Sequence, residues 1–161
     1  MTSIFFGNKF VCYQIVAGIL LSGVVIKALD RVKSLGVAAV LSLGVILIFV
    51  AMNDASAWHI LPLIVIAVIA EIVRTLTKYN WTGDVISTAV MSFSTFGFYG
   101  QIWFNRAYTY ECATDEMPAG YADTLMSCSP AWVLPVVLII GIALSVFISN
   151  VTARLFKIEK K

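Results

Sequence analysis

Five apolar runs, at about 10–26, 35–50, 60–73, 85–104 and 132–148, take up most of a chain of 161 residues. With its flanking small polar residues, each is about long enough to cross a hydrocarbon layer roughly 30 Å thick. A backbone inside lipid must satisfy its own N–H and C=O groups, so such runs fold as helices. Hydrophobic residues make up 60% of the chain and charged residues 12%, which is far from soluble composition. The expected fold is an all-α polytopic transmembrane bundle with spans at about 10–27, 34–51, 60–77, 84–106 and 131–156, and an outer cap at 107–130. Five crossings leave no room for a second domain. The N-terminal run reads as a helix and not a secretory signal, since its basic region is Lys9 alone and no small-residue cleavage site precedes Lys27.

The positions of the cations matter more than the net charge of +2. Nine of the eleven Lys and Arg fall in the connector 27–33, in the segment 74–83 and at the C-terminal end, leaving Lys9 and Arg106 on the other side. The positive-inside bias then predicts a cell-membrane protein with a cytoplasmic C-terminus, an outer turn at 52–59 and an outward cap. An odd number of spans puts the N-terminus outside. No basic face carries interleaved aromatics, so nucleic acid is not an expected partner.

Small residues predict how the helices meet. Gly18 and Ser22 in the first span, Ala38 and Ser42 in the second, and Gly141, Ser145 and Ser149 in the fifth form ridges that let backbones approach closely. Ser34 is the expected N-cap of the second span. In the fourth, Ser87, Ser94 and Gln101 recur every seven residues, as do Thr88 and Thr95, and this polar stripe must face protein or a cavity. Glu71 and Arg74 lie three residues apart on one helix face, where they serve as a structural salt bridge or as a coupling element.

The chemistry concentrates between Phe98 and Trp132, which hold Tyr108, Tyr110, Tyr121, two Trp, Arg106, two of the three Cys and four of the nine acids. Trp58, Trp103, Tyr108, Tyr110 and Tyr121 are candidates to stack on a flat ring, with Arg106, Glu111 and Asp54 to fix its polar edges. Each aromatic also suits the plainer role of interfacial anchor. An enzyme has little to work with, because His59 is the sole histidine and no phosphate-cradling glycine loop is present. Cys12, Cys112 and Cys128 lack metal-ligand spacing, so neither cofactor nor metal is expected. Cys112 and Cys128 share the cap, where a disulfide is an open alternative.

The order VIKALDRVKSLG, PLIVIAVIAEIVRTL, a short basic turn, FGFYGQIW, Tyr110 and Glu111, an acidic stretch, GYADTLMS and SPAWVL resembles the Trep_Strep group of membrane proteins, from about Val25 to Lys157. That group in turn resembles the substrate-binding S components of energy-coupling factor (ECF) transporters. The resemblance implies a helical bundle surrounded by membrane lipid that captures a vitamin-like small-molecule substrate at its outer face. It also implies partners: a transmembrane coupling subunit and ATPase subunits. Such bundles have six helices. Aligned in this way, the first span here corresponds to the second helix of an S component, and the first S-component helix is expected to be missing.

Overall fold

A computed structural model describes residues 13–53 and 55–159, and among these the regular structure is helical throughout. The expectations for Lys9, Cys12, Asp54, Lys160 and Lys161 lie outside the described residues. Helix α1 (Tyr13–Arg31) gives way to a short connector that ends at Gly36, whose φ of 99° belongs to the left-handed region. Only glycine enters that region without steric cost. Gly36, and not Ser34, is therefore the residue that starts α2 (Val37–Ala51).

Helix α3 (Ala57–Leu76) follows Ser56 and contains Pro62 in its second turn. Proline has no N–H to offer the carbonyl four residues back, which is that of Trp58. Gly97 packs against this freed carbonyl so closely that a Cβ there would lie 2.3 Å from the Trp58 oxygen. Helix α4 (Trp81–Met91) is capped by Asn80, whose Oδ1 accepts the Gly83 N–H at 2.8 Å.

The expected single span at 84–106 is broken. After α4 come a 3₁₀ turn (Ser92–Thr95) and two one-turn helices, α5 (Phe96–Tyr99) and α6 (Gln101–Phe104). The local cause is the run Ser92, Phe93, Ser94, Thr95, followed by Gly97 and Gly100. The Ser92 hydroxyl donates to the Ala89 carbonyl at 2.7 Å, competing with the α-helical pattern. The expected cap is itself helical: α7 (Arg106–Glu116) and α8 (Tyr121–Cys128) are joined through Gly120 at φ 82°. The chain closes with α9 (Val133–Leu155).

Two of these helices, Ala57–Leu76 and Val133–Leu155, are by themselves long and apolar enough to cross a membrane. Helix α2 is apolar but has 15 residues, and α1 carries Lys27, Asp30 and Arg31 in its last turns. The outward faces are hydrocarbon: Leu20 is 66% exposed, Val40 68% and Ile139 66%. A surface of that kind is stable against lipid and costly against water.

Inside, α1 and α9 form the closest pair. Gly18 meets the Gly141 backbone, where an added Cβ would lie 2.6 Å from the Gly141 oxygen. One turn along, the Ser22 hydroxyl donates to Ser145 Oγ at 2.6 Å. The expected small-residue ridges of these two helices therefore interlock, while Ser42 and Ala38 on α2 turn inward toward α3. A lower cluster joins Val25, Leu29, Ala38, Ile66, Ala70 and Met91. An upper cluster, made of Tyr99, Ile102, Ala113, Ala122, Leu125 and Val137, fastens both cap helices to the bundle.

Candidate functional site

The two ends of the bundle treat their polar residues differently. At the basic end Arg74 is fully buried, and its Nε donates to Asp84 Oδ1 at 2.9 Å. Its remaining nitrogens donate to the carbonyls of Ser34, Leu29 and Val32 at 3.1, 3.0 and 2.8 Å. Lys33 supplies a second ion pair to Asp84 from the edge. One guanidinium thereby stitches the α1–α2 connector to α3 and α4.

Glu71 is not its partner. The Glu71 Oε1 atom accepts the Ala38 N–H at 2.6 Å, at the start of α2, while Oε2 is buried without a hydrogen bond. Residues three apart on a helix diverge by about 60°, which lets these long side chains reach different neighbours. The expected Glu71–Arg74 bridge is replaced by two separate inter-helix ties. Lys27, Lys33, Tyr79 and Lys157 line one hollow, so the ends of α1 and α9 and the α3–α4 turn lie together.

In the middle, Gln14 is fully buried. Its Nε2 donates to Ser92 Oγ at 3.0 Å and its Oε1 accepts the Tyr99 hydroxyl at 2.5 Å. The polar stripe of the fourth segment lies largely within the bundle: Ser87, Thr88 and Ser94 are buried. Gln101, at its upper end, is half-buried and donates to the Gly97 carbonyl at 3.0 Å.

At the opposite end a pocket of about 350 Å³ opens between the start of α3, the α5–α6 break and the cap. Helix α3 contributes Trp58 and His59, the break contributes Phe98 and Gln101, and α7 contributes Tyr108, Cys112 and Glu116. Tyr121 and Leu125 of α8 close it. The His59 ring stacks on Phe98 with centroids 3.9 Å apart and planes within 7°, and Phe49 leans on both. The break in the fourth segment and the close approach of Gly97 to α3 bring Phe98 and Gln101 to this wall. The polar stripe was the one signal pointing there, and it indicated Gln101 but not His59 or Phe98.

Three of the expected stacking residues, Trp58, Tyr108 and Tyr121, thus meet in one pocket. The others do not join them. Trp103 Nε1 donates to the Pro130 carbonyl at 3.2 Å. Arg106 donates to the carbonyls of Ser129 at 2.6 Å, Met126 at 3.2 Å and Ile102 at 3.5 Å. Both side chains clamp the end of α8 to the bundle and line a separate hollow with Phe104 and Leu134. The Tyr110 hydroxyl donates to Asp123 Oδ1 at 2.9 Å, tying α7 to α8, and Glu111 is exposed outside the pocket lining.

The cap tyrosines hold their protons more tightly than an ordinary phenol. The neighbouring Cys112 acts most strongly on Tyr108, with burial and the charges of Glu116 and Glu111 adding to it. The Asp123 hydrogen bond does the same for Tyr110, and burial for Tyr121. Cys112 and Cys128 are free thiols, so the open question of a disulfide resolves to two separate cysteines. Among the described residues no group of three His, Cys, Asp or Glu is placed to hold a metal ion.

No curated protein and no solved structure matches the chain. A family model described as a hypothetical bacterial integral membrane protein (Trep_Strep) matches residues 1–158, beginning well before the expected start near Val25. A helical bundle with a hydrocarbon exterior fits that description, and the chain belongs to the Trep_Strep family of bacterial integral membrane proteins.

Proposed function

We propose that the protein is the substrate-capture subunit of an ECF-type importer and holds a small planar molecule in the pocket beneath its cap. The observation that carries this reading is the convergence of Trp58, Tyr108 and Tyr121 with Gln101 and Glu116 around about 350 Å³. Apolar walls with a few placed polar groups are the usual make-up of a small-molecule site. In this reading five segments cross the membrane, the fourth as a broken span. The charge bias puts the end with Lys27, Lys33 and Lys157 in the cytoplasm and the pocket outside. A coupling subunit and ATPases supply the energy, as the resemblance to S components implies. The chain itself performs no chemistry.

A second reading, a structural or assembly protein with no small-molecule ligand, draws on a different feature. An apolar hollow of about 700 Å³ lies between α2 and α3, walled by Leu43, Ile46, Ile64 and Val68. A partner's transmembrane helix would fill such a hollow by packing alone.

The test is to purify the full chain and identify copurifying small molecules by mass spectrometry, then to compare variants. Stacking on an aromatic face contributes about 0.5–1.5 kcal/mol beyond area burial, so Trp58→Ala and Tyr108→Ala each weaken retention by up to about tenfold. Trp81→Ala, on α4 at the far end, leaves retention unchanged. Absence of any copurifying molecule, or equal retention by all three variants, transfers the case to the structural reading. Single cysteines replacing Ser56 and Thr114 react with an impermeant thiol reagent outside intact cells, whereas those replacing Lys33 and Lys78 do not. The reverse pattern overturns the orientation.

A further inference from the structure

We infer that the ligand of the cap pocket is a planar cation, a ring carrying a protonated or quaternary nitrogen, and that Glu116 is its charge partner. This rests on the capture reading above. Among the described residues the pocket lining contains no Lys or Arg, and its acidic side chain is Glu116 at the end of α7. Arg106 is the nearest cation in sequence, but its guanidinium is committed to the carbonyls of Ile102, Ser129 and Met126 and it lines a different hollow. An anionic ligand would therefore meet no Lys or Arg to give it a charge-assisted bond. The Gln101 amide gives one N–H to the Gly97 carbonyl, and what remains of it is neutral.

A cation meets the opposite situation. The cap helices carry Glu111, Asp115, Glu116 and Asp123 against Arg106 alone, and a surface of one sign raises the local concentration of its counter-ion. The carboxyl-terminal end of α7, where Glu116 sits, adds the negative pole of a helix of 11 residues. Trp58, Tyr108 and Tyr121 line the pocket, and electron-rich rings of this kind attract a cation more strongly than a neutral ring of the same shape. The remaining ionisable groups of the lining are His59, Cys112 and the tyrosine hydroxyls. The Tyr108 hydroxyl already registers the charges of Glu116 and Glu111, which help to keep it protonated. The aromatic walls set the flat shape, and the charges set the sign.

Three probes of nearly one shape separate these terms: the N-methylquinolinium cation, quinoline, and quinoline carboxylate. Their binding to the purified full chain is measured by equilibrium dialysis at neutral pH. The cation binds about tenfold more tightly than quinoline, and the carboxylate binds weakest. Glu116→Gln removes most of the preference for the cation, read as the ratio of the cation and quinoline affinities of the same variant, and added salt acts in the same direction. A carboxylate held as tightly as the cation, or a preference that survives Glu116→Gln, overturns the charge assignment and leaves the capture site standing. If none of the three binds, the charge of the copurified molecule decides, a cation supporting the assignment and an anion or neutral molecule overturning it. If nothing copurifies either, the capture reading falls with it.

Discussion

At the basic end of the bundle Arg74, Asp84 and Lys33 are tied to one another and to the backbone, with Glu71 Oε2 left over, whereas at the cap end aromatic side chains and a carboxylate line open space. Arg74 uses four of its five N–H donors on Asp84 and three backbone carbonyls. Trp58, Tyr108 and Glu116 surround a pocket of about 350 Å³. The contrast separates a residue's rarity from its role. Glu71 and Arg74 are the more unusual feature in sequence, yet the geometry that Arg74 adopts with Asp84 is that of a structural knot. The ordinary-looking aromatics at the cap end line a pocket.

The sharpest way to break this comparison is to cut the knot. Asp84→Leu leaves the buried Arg74 charge without its carboxylate, and losing one partner of a buried pair costs about 3–5 kcal/mol. The unfolding temperature in detergent drops steeply, while Trp58→Ala at the start of α3 leaves it nearly unchanged. Lys33→Ala costs less than Asp84→Leu, because the Lys33 side chain is 41% exposed. A mild phenotype for Asp84→Leu would remove the distinction between the two ends.

A smaller effect tests the seam on which both ends depend. Gly18→Ala places a methyl 2.6 Å from the Gly141 carbonyl oxygen, a backbone atom that cannot swing away. Overpacking of this kind costs about 1–3 kcal/mol. Gly44→Ala, where an added Cβ meets nothing within 4 Å, is neutral or stabilising by up to about 1 kcal/mol. Thermal unfolding of the two variants distinguishes close helix contact from a general intolerance of larger residues.

The smallest effect is a titration. The Tyr110 proton is held above the ordinary phenol value of about 10 because Asp123 accepts its hydrogen bond and carries a like charge to the phenolate. A raised folded-state value favours the fold fully below about pH 10, and that contribution is lost as pH rises through the folded value. Asp123→Asn shifts the phenolate absorbance of Tyr110 back toward its ordinary range. An unchanged titration would show that the α7–α8 tie does not persist in solution.

Much of the bundle was legible in one dimension because its signals are local. Apolar run length marks α1, α2, α3 and α9 to within a few residues, the ridges with Gly18 and Ser22 and with Gly141 and Ser145 show in the small-residue spacing, and the stripe of Ser87, Thr88 and Ser94 shows in a seven-residue recurrence. The candidate site was legible in part. Trp58, Tyr108 and Tyr121 stand out by type, but nothing in their spacing tells them apart from Trp103 and Arg106, which the fold spends on holding α8 in place.

Composition and periodicity are properties of neighbouring residues, and they suffice for helix, lipid-facing surface and close-packing ridge. Side-chain partnership across the bundle is not such a property. Gln14 finds Ser92 and Tyr99 at separations of 78 and 85 residues, and Arg74 passes over Glu71 on its own helix to reach Asp84 beyond a turn. The break at Ser92–Thr95 likewise became visible only in three dimensions, where Gly97 lies against a carbonyl freed by Pro62. A long polar side chain in an apolar interior goes to whichever unsatisfied group the packing brings within about 3 Å, and the packing is set by all the helices together.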